Sequence, residues 1–179
     1  LLNFSHLAGD CGISVDTARR WISVLKTSFI VMLITLHHRN FNKRLIKSPR
    51  LYFYDTGLAC LLLGIRDATQ METHPLRGAL FENYVTVEIA KAFLHNRKTP
   101  PLYFWRDQSG HEVDLLLEIG TDLYPVELKS GRTFAPSMVD SLIWWNRLAG
   151  NPSSRAVLVY GGEESWEWKG IAVKPWFAV

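Results

Sequence analysis

Asp114, Glu127 and Lys129 are the residues whose types and spacing suit phosphate chemistry. Asp114 lies in an alternating run from His111 to Ile119, and Glu127-Leu128-Lys129 ends the run that follows. Gly120-Thr121 between them is a two-residue turn signal, because glycine at the first central position suits a type II′ turn. A hairpin closed there sets Asp114 opposite Glu127 and Glu112 opposite Lys129. Val113, Leu115, Leu117 and Ile119 then share an apolar face with Tyr124, Val126 and Leu128. Glu112, Asp114, Glu127 and Lys129 share the other. Carboxylates facing each other across a sheet are destabilising unless a cation lies between them. Mg²⁺ takes hard oxygen ligands, usually one or two carboxylates completed by water and substrate phosphate. A neighbouring lysine can hold the attacking water and offset phosphate charge. The rival is a solvent-facing hairpin whose charges pair as Glu112 with Lys129.

These strands need a frame. Leu76 to about Arg97 reads as one long helix, with Gly78, Glu82, Val85, Ile89 and Phe93 on a single stripe. Glu82 on that inward face must be paired or metal-bound, since a lone buried charge is costly; otherwise it sits at the edge of the stripe, facing water. Pro100-Pro101 stops the helix before a strand from Leu102 to Arg106. Ala135 to Leu148 is a second helix, and Arg155 to Tyr160 is an apolar strand of the buried kind. The order from Pro75 is helix, three strands, helix, strand. Trp166 to Val179 adds an edge strand, and Trp144, Trp145, Trp166 and Trp168 are core or docking residues.

The first 64 residues read as a separate module. Asn3 or Ser5 caps a short helix, and Ser14 caps a second with Asp16 in its first turn. Ala18, Trp21, Ile22 and Leu25 fall on one face of the second helix, and Arg19, Arg20 and Lys26 on or beside the other. A strand from Phe29 to Leu36 and a return strand from Leu51 to Tyr54 complete a winged helix-turn-helix. Its tip carries Arg39, Lys43, Arg44, Lys47 and Arg50, which can lie along phosphates. Winged helices also dock proteins, so DNA contact and protein docking both stay open. Asp55 caps a short helix that ends at Gly64. Residues 65–74 read as a linker, and 75–179 as the second domain.

The chain has 179 residues, Lys+Arg 20 against Asp+Glu 17 and a net charge of +3, which permits a nucleic-acid partner without requiring one. Two cysteines, Cys11 and Cys60, make no zinc knuckle or disulfide framework and suit a reducing, cytoplasmic setting. The longest apolar run, Phe29 to Leu36, is far short of the roughly 20 residues a membrane helix needs, and no signal peptide is visible. The Leu1 start suggests the C-terminal part of a longer protein. Self-association remains open.

An acid on the first helix (Glu82), Val113-Asp114 on the second strand and Glu127-Leu128-Lys129 on the third resemble the PD-(D/E)XK nuclease superfamily. Val113 replaces the proline of that motif. More closely, the chain resembles the C-terminal domain of unknown function carried by predicted AAA+ ATPases. The stretches are Ser14-Val-Asp-Thr-Ala-Arg-Arg-Trp21, Lys47-Ser-Pro-Arg-Leu-Tyr-Phe-Tyr-Asp-Thr-Gly-Leu58, Leu80-Phe-Glu-Asn-Tyr-Val85, Phe104-Trp-Arg-Asp107, Glu112-Val-Asp114 and Val126-Glu-Leu-Lys-Ser-Gly131. The resemblance implies an α/β (α+β) chain, a winged helix followed by a restriction-endonuclease-like αβββαβ core with a mixed sheet. It implies Mg²⁺ or Mn²⁺ on Asp114, Glu127 and the Leu128 carbonyl, water activation by Lys129 and completion of the shell by Glu82. DNA is the expected substrate. ATP would enter only through an upstream ATPase domain, because no Gly-x-x-x-x-Gly-Lys-Ser/Thr loop occurs here. A catalytically silent module that recognises DNA or a protein for the ATPase is the alternative.

Overall fold

A mixed sheet of eight strands organises the residues described by the computed structural model, 1–37 and 48–179. The strands are β1 (Val31–Leu36), β2 (Arg50–Phe53), β3 (Leu102–Arg106), β4 (Glu112–Ile119), β5 (Asp122–Lys129), β6 (Val157–Tyr160), β7 (Trp166–Trp168) and β8 (Ile171–Pro175). Their order across the sheet is β2-β1-β3-β4-β5-β6-β8-β7. The helices are α1 (Phe4–Asp10), α2 (Val15–Thr27), α3 (Thr56–Leu62), α4 (Ala68–Thr73), α5 (Arg77–His95) and α6 (Asp140–Ala149). The expected succession of helix, three strands, helix, strand is present as α5, β3, β4, β5, α6 and β6. β5 and β6 are parallel across the α6 crossover. Among the described residues, no helix is long and apolar enough to cross a membrane.

The local signals for the helix starts hold. Asn3, Ser14 and Asp55 accept hydrogen bonds from the first-turn N–H groups of α1, α2 and α3. The β4–β5 hairpin closes on Gly120-Thr121, with Ile119 paired to Asp122 and Leu115 to Val126. Gly120 has φ +64 and Thr121 is not among the residues with positive φ, the sign pattern of a II′ turn.

Both faces of the central hairpin are buried, which corrects the expected division into one apolar and one polar face. Val85, Val87 and Ala90 of α5 pack on Phe104, Leu115, Val126 and Leu128. Leu142 and Trp145 of α6 pack on Trp105, Val113, Leu116, Leu123 and Leu158 from the other side. The helix stripe is corrected in part. Val85 is buried and Ile89 packs on the core as expected, but Leu80, Asn83, Val87 and Ala90 are buried as well, whereas Gly78 is exposed and Glu82 is half-buried. Trp21 of α2, expected inward, is 55% exposed.

The N-terminal part differs from a free-standing winged helix. β1 and β2 form the antiparallel hairpin, but β1 gives its other edge to β3, with Thr35 beside Tyr103 and Leu36 beside Phe104. The His37 N–H continues this ladder to the Phe104 carbonyl at 2.9 Å. An apolar strand whose Met32, Ile34 and Leu36 are buried gains more from a paired second edge than from leaving that edge open. One sheet therefore runs across 65–74, and that stretch holds α4 rather than a structureless linker.

Candidate active site

Asp114 reaches the site through a bulge. Tyr103 pairs with Leu116 and Trp105 with Val113, so Asp114 and Leu115 together oppose Phe104. A bulge re-aims a side chain that regular pleating would turn elsewhere. The backbone ladder to β5 ends at Leu115–Val126. Beyond it the Asp114 carboxylate itself accepts the Leu128 N–H, at 3.0 Å. The N–H and C=O of one strand residue face the same neighbour, so the Leu128 carbonyl is turned toward this carboxylate. The bulge replaces the simple opposition of Asp114 and Glu127 expected from the turn.

Glu127 points to the α6 side and is 6% exposed. One oxygen accepts the Ser141 hydroxyl at 2.8 Å, and the other is in contact with the Lys129 ammonium. Burial, then the Asp114 charge, pushes its pKa from 4.5 up to about 7, against the pull of Lys129 and Ser141. Burial works against the charge on Lys129, but Glu127, Asp114 and Glu82 outweigh it and raise its pKa. The rival Glu112–Lys129 pair does not form, because Lys129 contacts Glu127 while Glu112 pairs with Arg50 and Arg106. A cavity of about 570 Å³ opens beside Glu127, lined also by His111, Glu112, Asp140, Ser141 and Trp144. The His111 ring stacks on Trp144 at 3.9 Å between centroids.

The second half of the site gathers around Arg50. Its guanidinium donates to Glu82 Oε1 at 2.7 Å and to the Asp114 carbonyl at 3.2 Å. It pairs with Glu112 and lies 3.7 Å from the Asp114 carboxylate. Glu112 is held from its other side by Arg106 at 3.2 Å. The Tyr52 hydroxyl donates to Glu82 Oε1 at 2.6 Å. Burial, and then the Glu82 charge, pushes the Tyr52 hydroxyl up. Burial also raises the Glu82 pKa, with Arg50 as the largest opposing influence. Arg50 was expected at a phosphate-binding tip; it is instead a site cation with a side chain only 12% exposed.

Of the other expected phosphate contacts, Arg19, Arg20 and Lys26 are exposed on α2, with Arg19 lying over the Phe4 ring at 5.1 Å. Arg39, Lys43, Arg44 and Lys47 lie outside the described residues. Tyr52, Ser141 and the inward Arg50 had no place in the sequence expectation. Ser141 could have been found, since it shares a helical stripe with Trp145 and Leu148 at i, i+4 and i+7. Trp145 is core, at 0% exposure.

Among the described residues, no three His, Cys, Asp or Glu side chains form a group that could hold a metal ion. The donors that remain are two carboxylates, Asp114 and Glu127, and the Leu128 carbonyl. That is the sparse oxygen set with which Mg²⁺ keeps several waters. The Asp114 charge raises the Glu127 pKa even with Lys129 in contact, and two carboxylates with a carbonyl are the hard oxygen donors that fit a divalent ion.

Residues 1–69 match a family described as Domain of unknown function (DUF8612). Uncharacterized protein Rv2008c of Mycobacterium tuberculosis is 35% identical over 163 residues, 91% of this chain and 35% of the relative. Uncharacterized protein Mb2031c of Mycobacterium bovis matches to the same extent. The chain thus spans about a third of the length of these curated relatives. No solved structure matches. Residues 77–178, which carry Glu82, Asp114, Glu127 and Lys129, match the family described as Domain of unknown function (DUF4143), and the chain belongs to it.

Proposed function

We propose that the chain is a divalent-metal-dependent DNA nuclease domain, working beside an AAA+ ATPase domain of a longer protein. The observation that carries this is the pairing of buried Glu127, its pKa lifted to about 7, with Asp114 on a bulge and Lys129 alongside. The α5-β3-β4-β5-α6-β6 order supports a restriction-endonuclease-like fold for this part. The greater length of the mycobacterial relatives leaves room for the ATPase.

Asp114, Glu127 and the Leu128 carbonyl would hold Mg²⁺ or Mn²⁺, which supplies Lewis acidity toward a phosphate oxygen and a readily deprotonated water. Lys129 orients that water and offsets charge as it builds on the phosphate. Glu82, held by Arg50 and Tyr52, would orient waters of that ion. The cavity beside Glu127 and Trp144 receives the strand, and Arg19, Arg20 and Lys26 of α2 bind phosphates farther along the duplex. With Mg²⁺ or Mn²⁺ the purified chain is expected to nick supercoiled DNA. Lys129→Ala should lower the rate at least about 100-fold, the usual scale for a positioned proton-handling group. Equal cleavage by the variant sinks the assignment.

One observation favours a second reading, a catalytically silent module that recognises DNA or a protein partner. The cations that touch the acids are already spent, Arg50 on Glu82 and Glu112, Arg106 on Glu112 and Lys129 on Glu127. A calorimetric titration with no divalent binding, or binding unchanged in Asp114→Asn, would select it.

A further inference from the structure

The acids divide into two groups that share Asp114. Glu127 faces Ser141 and Lys129. Glu82 and Glu112 face Arg50, which also touches both the carbonyl and the carboxylate side of Asp114. Arg50 is the first residue of β2, and Tyr52, two positions along on the same side, bonds the same Glu82 oxygen. The guanidinium also lies over the Phe104 ring at 5.0 Å. It is thus held by the strand, the ring and three acids. A guanidinium keeps its charge at every accessible pH and presents a rigid fork of donors.

We propose that Arg50 is a built-in second cation. It fills the position between Glu82, Glu112 and Asp114 where a second divalent ion would otherwise sit, so the site takes one divalent ion per chain, on the Glu127 side. The inference rests on the metal-dependent reading and extends it to stoichiometry. Glu82, Glu112 and Asp114 all pair with this guanidinium, and among the described residues no three acids form a group that could hold a metal ion. Glu82 and Glu112 already have their charge balanced by the guanidinium, which donates to Glu82 at 2.7 Å and pairs with Glu112, so a divalent ion between them would have to displace it.

The test is a calorimetric titration with Mn²⁺ of three metal-free proteins: the intact chain, Arg50→Gln and the double variant Arg50→Gln/Glu112→Gln. The double variant removes one charge of each sign, so it folds where the single one is destabilised. The intact chain is expected to bind one ion. Each variant is expected to bind two, with Mn²⁺ raising its melting temperature more than that of the intact chain. One ion in all three proteins, at affinities within about twofold, overturns the role of Arg50 and leaves the metal reading standing. No ion in any of them overturns both.

Discussion

Glu127 is 6% exposed, and burial followed by the Asp114 charge lifts its pKa from 4.5 to about 7. Between those values the folded chain keeps a proton that the unfolded chain has lost. Stability contributed by this group is therefore full below pH 4.5 and falls as pH rises toward about 7. The metal-free protein should lose melting temperature across that window, and Glu127→Gln should flatten the loss. Saturating Mg²⁺ should flatten it too, because an ion on the ionised carboxylate favours the form that burial opposes. Melting curves in a chelator from pH 4 to 8 check this; an unchanged slope in Glu127→Gln removes Glu127 as its source. Asp114, Glu127 and Lys129 were legible as types and spacing because they lie on one hairpin. Arg50 was not, since its partners Glu82 and Asp114 are 32 and 64 residues away, and a run of basic residues looks alike whether one of them turns inward or all face water.

Asn83 does for α5 what no periodicity could show. Its side chain accepts the Phe53 N–H at 2.7 Å and donates to the Phe53 carbonyl and the Thr56 hydroxyl, both at 2.9 Å. The amide mimics a neighbouring strand and docks the end of β2 on the helix that carries Glu82. A polar residue in a buried stripe reads from sequence as an interruption, which is why Glu82 rather than Asn83 drew the stripe inward. Asn83→Ala should cost about 2 kcal/mol, since it strands two backbone groups in a half-buried place. It should also loosen Arg50 and Tyr52 against Glu82. Urea denaturation measures the first, and a weaker cleavage rate without loss of Mn²⁺ binding reads the second. The bulge in β4 was equally hidden, because alternation continues on paper through Asp114. Gly161, which follows β6, was legible only as part of a turn. A Cβ there would meet the Ser130 carbonyl oxygen at 2.4 Å, so Gly161→Ala should force apart the ends of β5 and β6 just beyond Lys129. The expected cost is about 1–3 kcal/mol, and a smaller loss than Ala causes at exposed Gly78 would contradict it.

At the scale of the whole molecule, the join between β1 and β3 decides how the chain unfolds. Two modules tied by a linker would melt separately, each with its own core. Here Met32, Ile34, Leu36 and Tyr52 belong to the same apolar cluster as Val85, Phe104, Leu115 and Val126. Arg50 supplies the N-terminal charge that holds three acids of the C-terminal half. Separation would expose the edge of β3, with the apolar Leu102 and Phe104 that are 8% and 0% exposed, and would leave Glu82, Glu112 and Asp114 unbalanced. An open apolar edge invites aggregation. Strands from both halves should therefore open together. Hydrogen exchange in rising urea should give the Ile34 and Leu36 amides of β1 the same limiting free energy as Leu158 and Val159 of β6, with the same urea dependence. A chain cut to begin at residue 70 should be insoluble or lack a sharp melting transition. If β1 exchanged through a cheaper opening while β6 stayed protected, and the cut chain melted sharply, the shared core would be secondary and the two halves would be independent units.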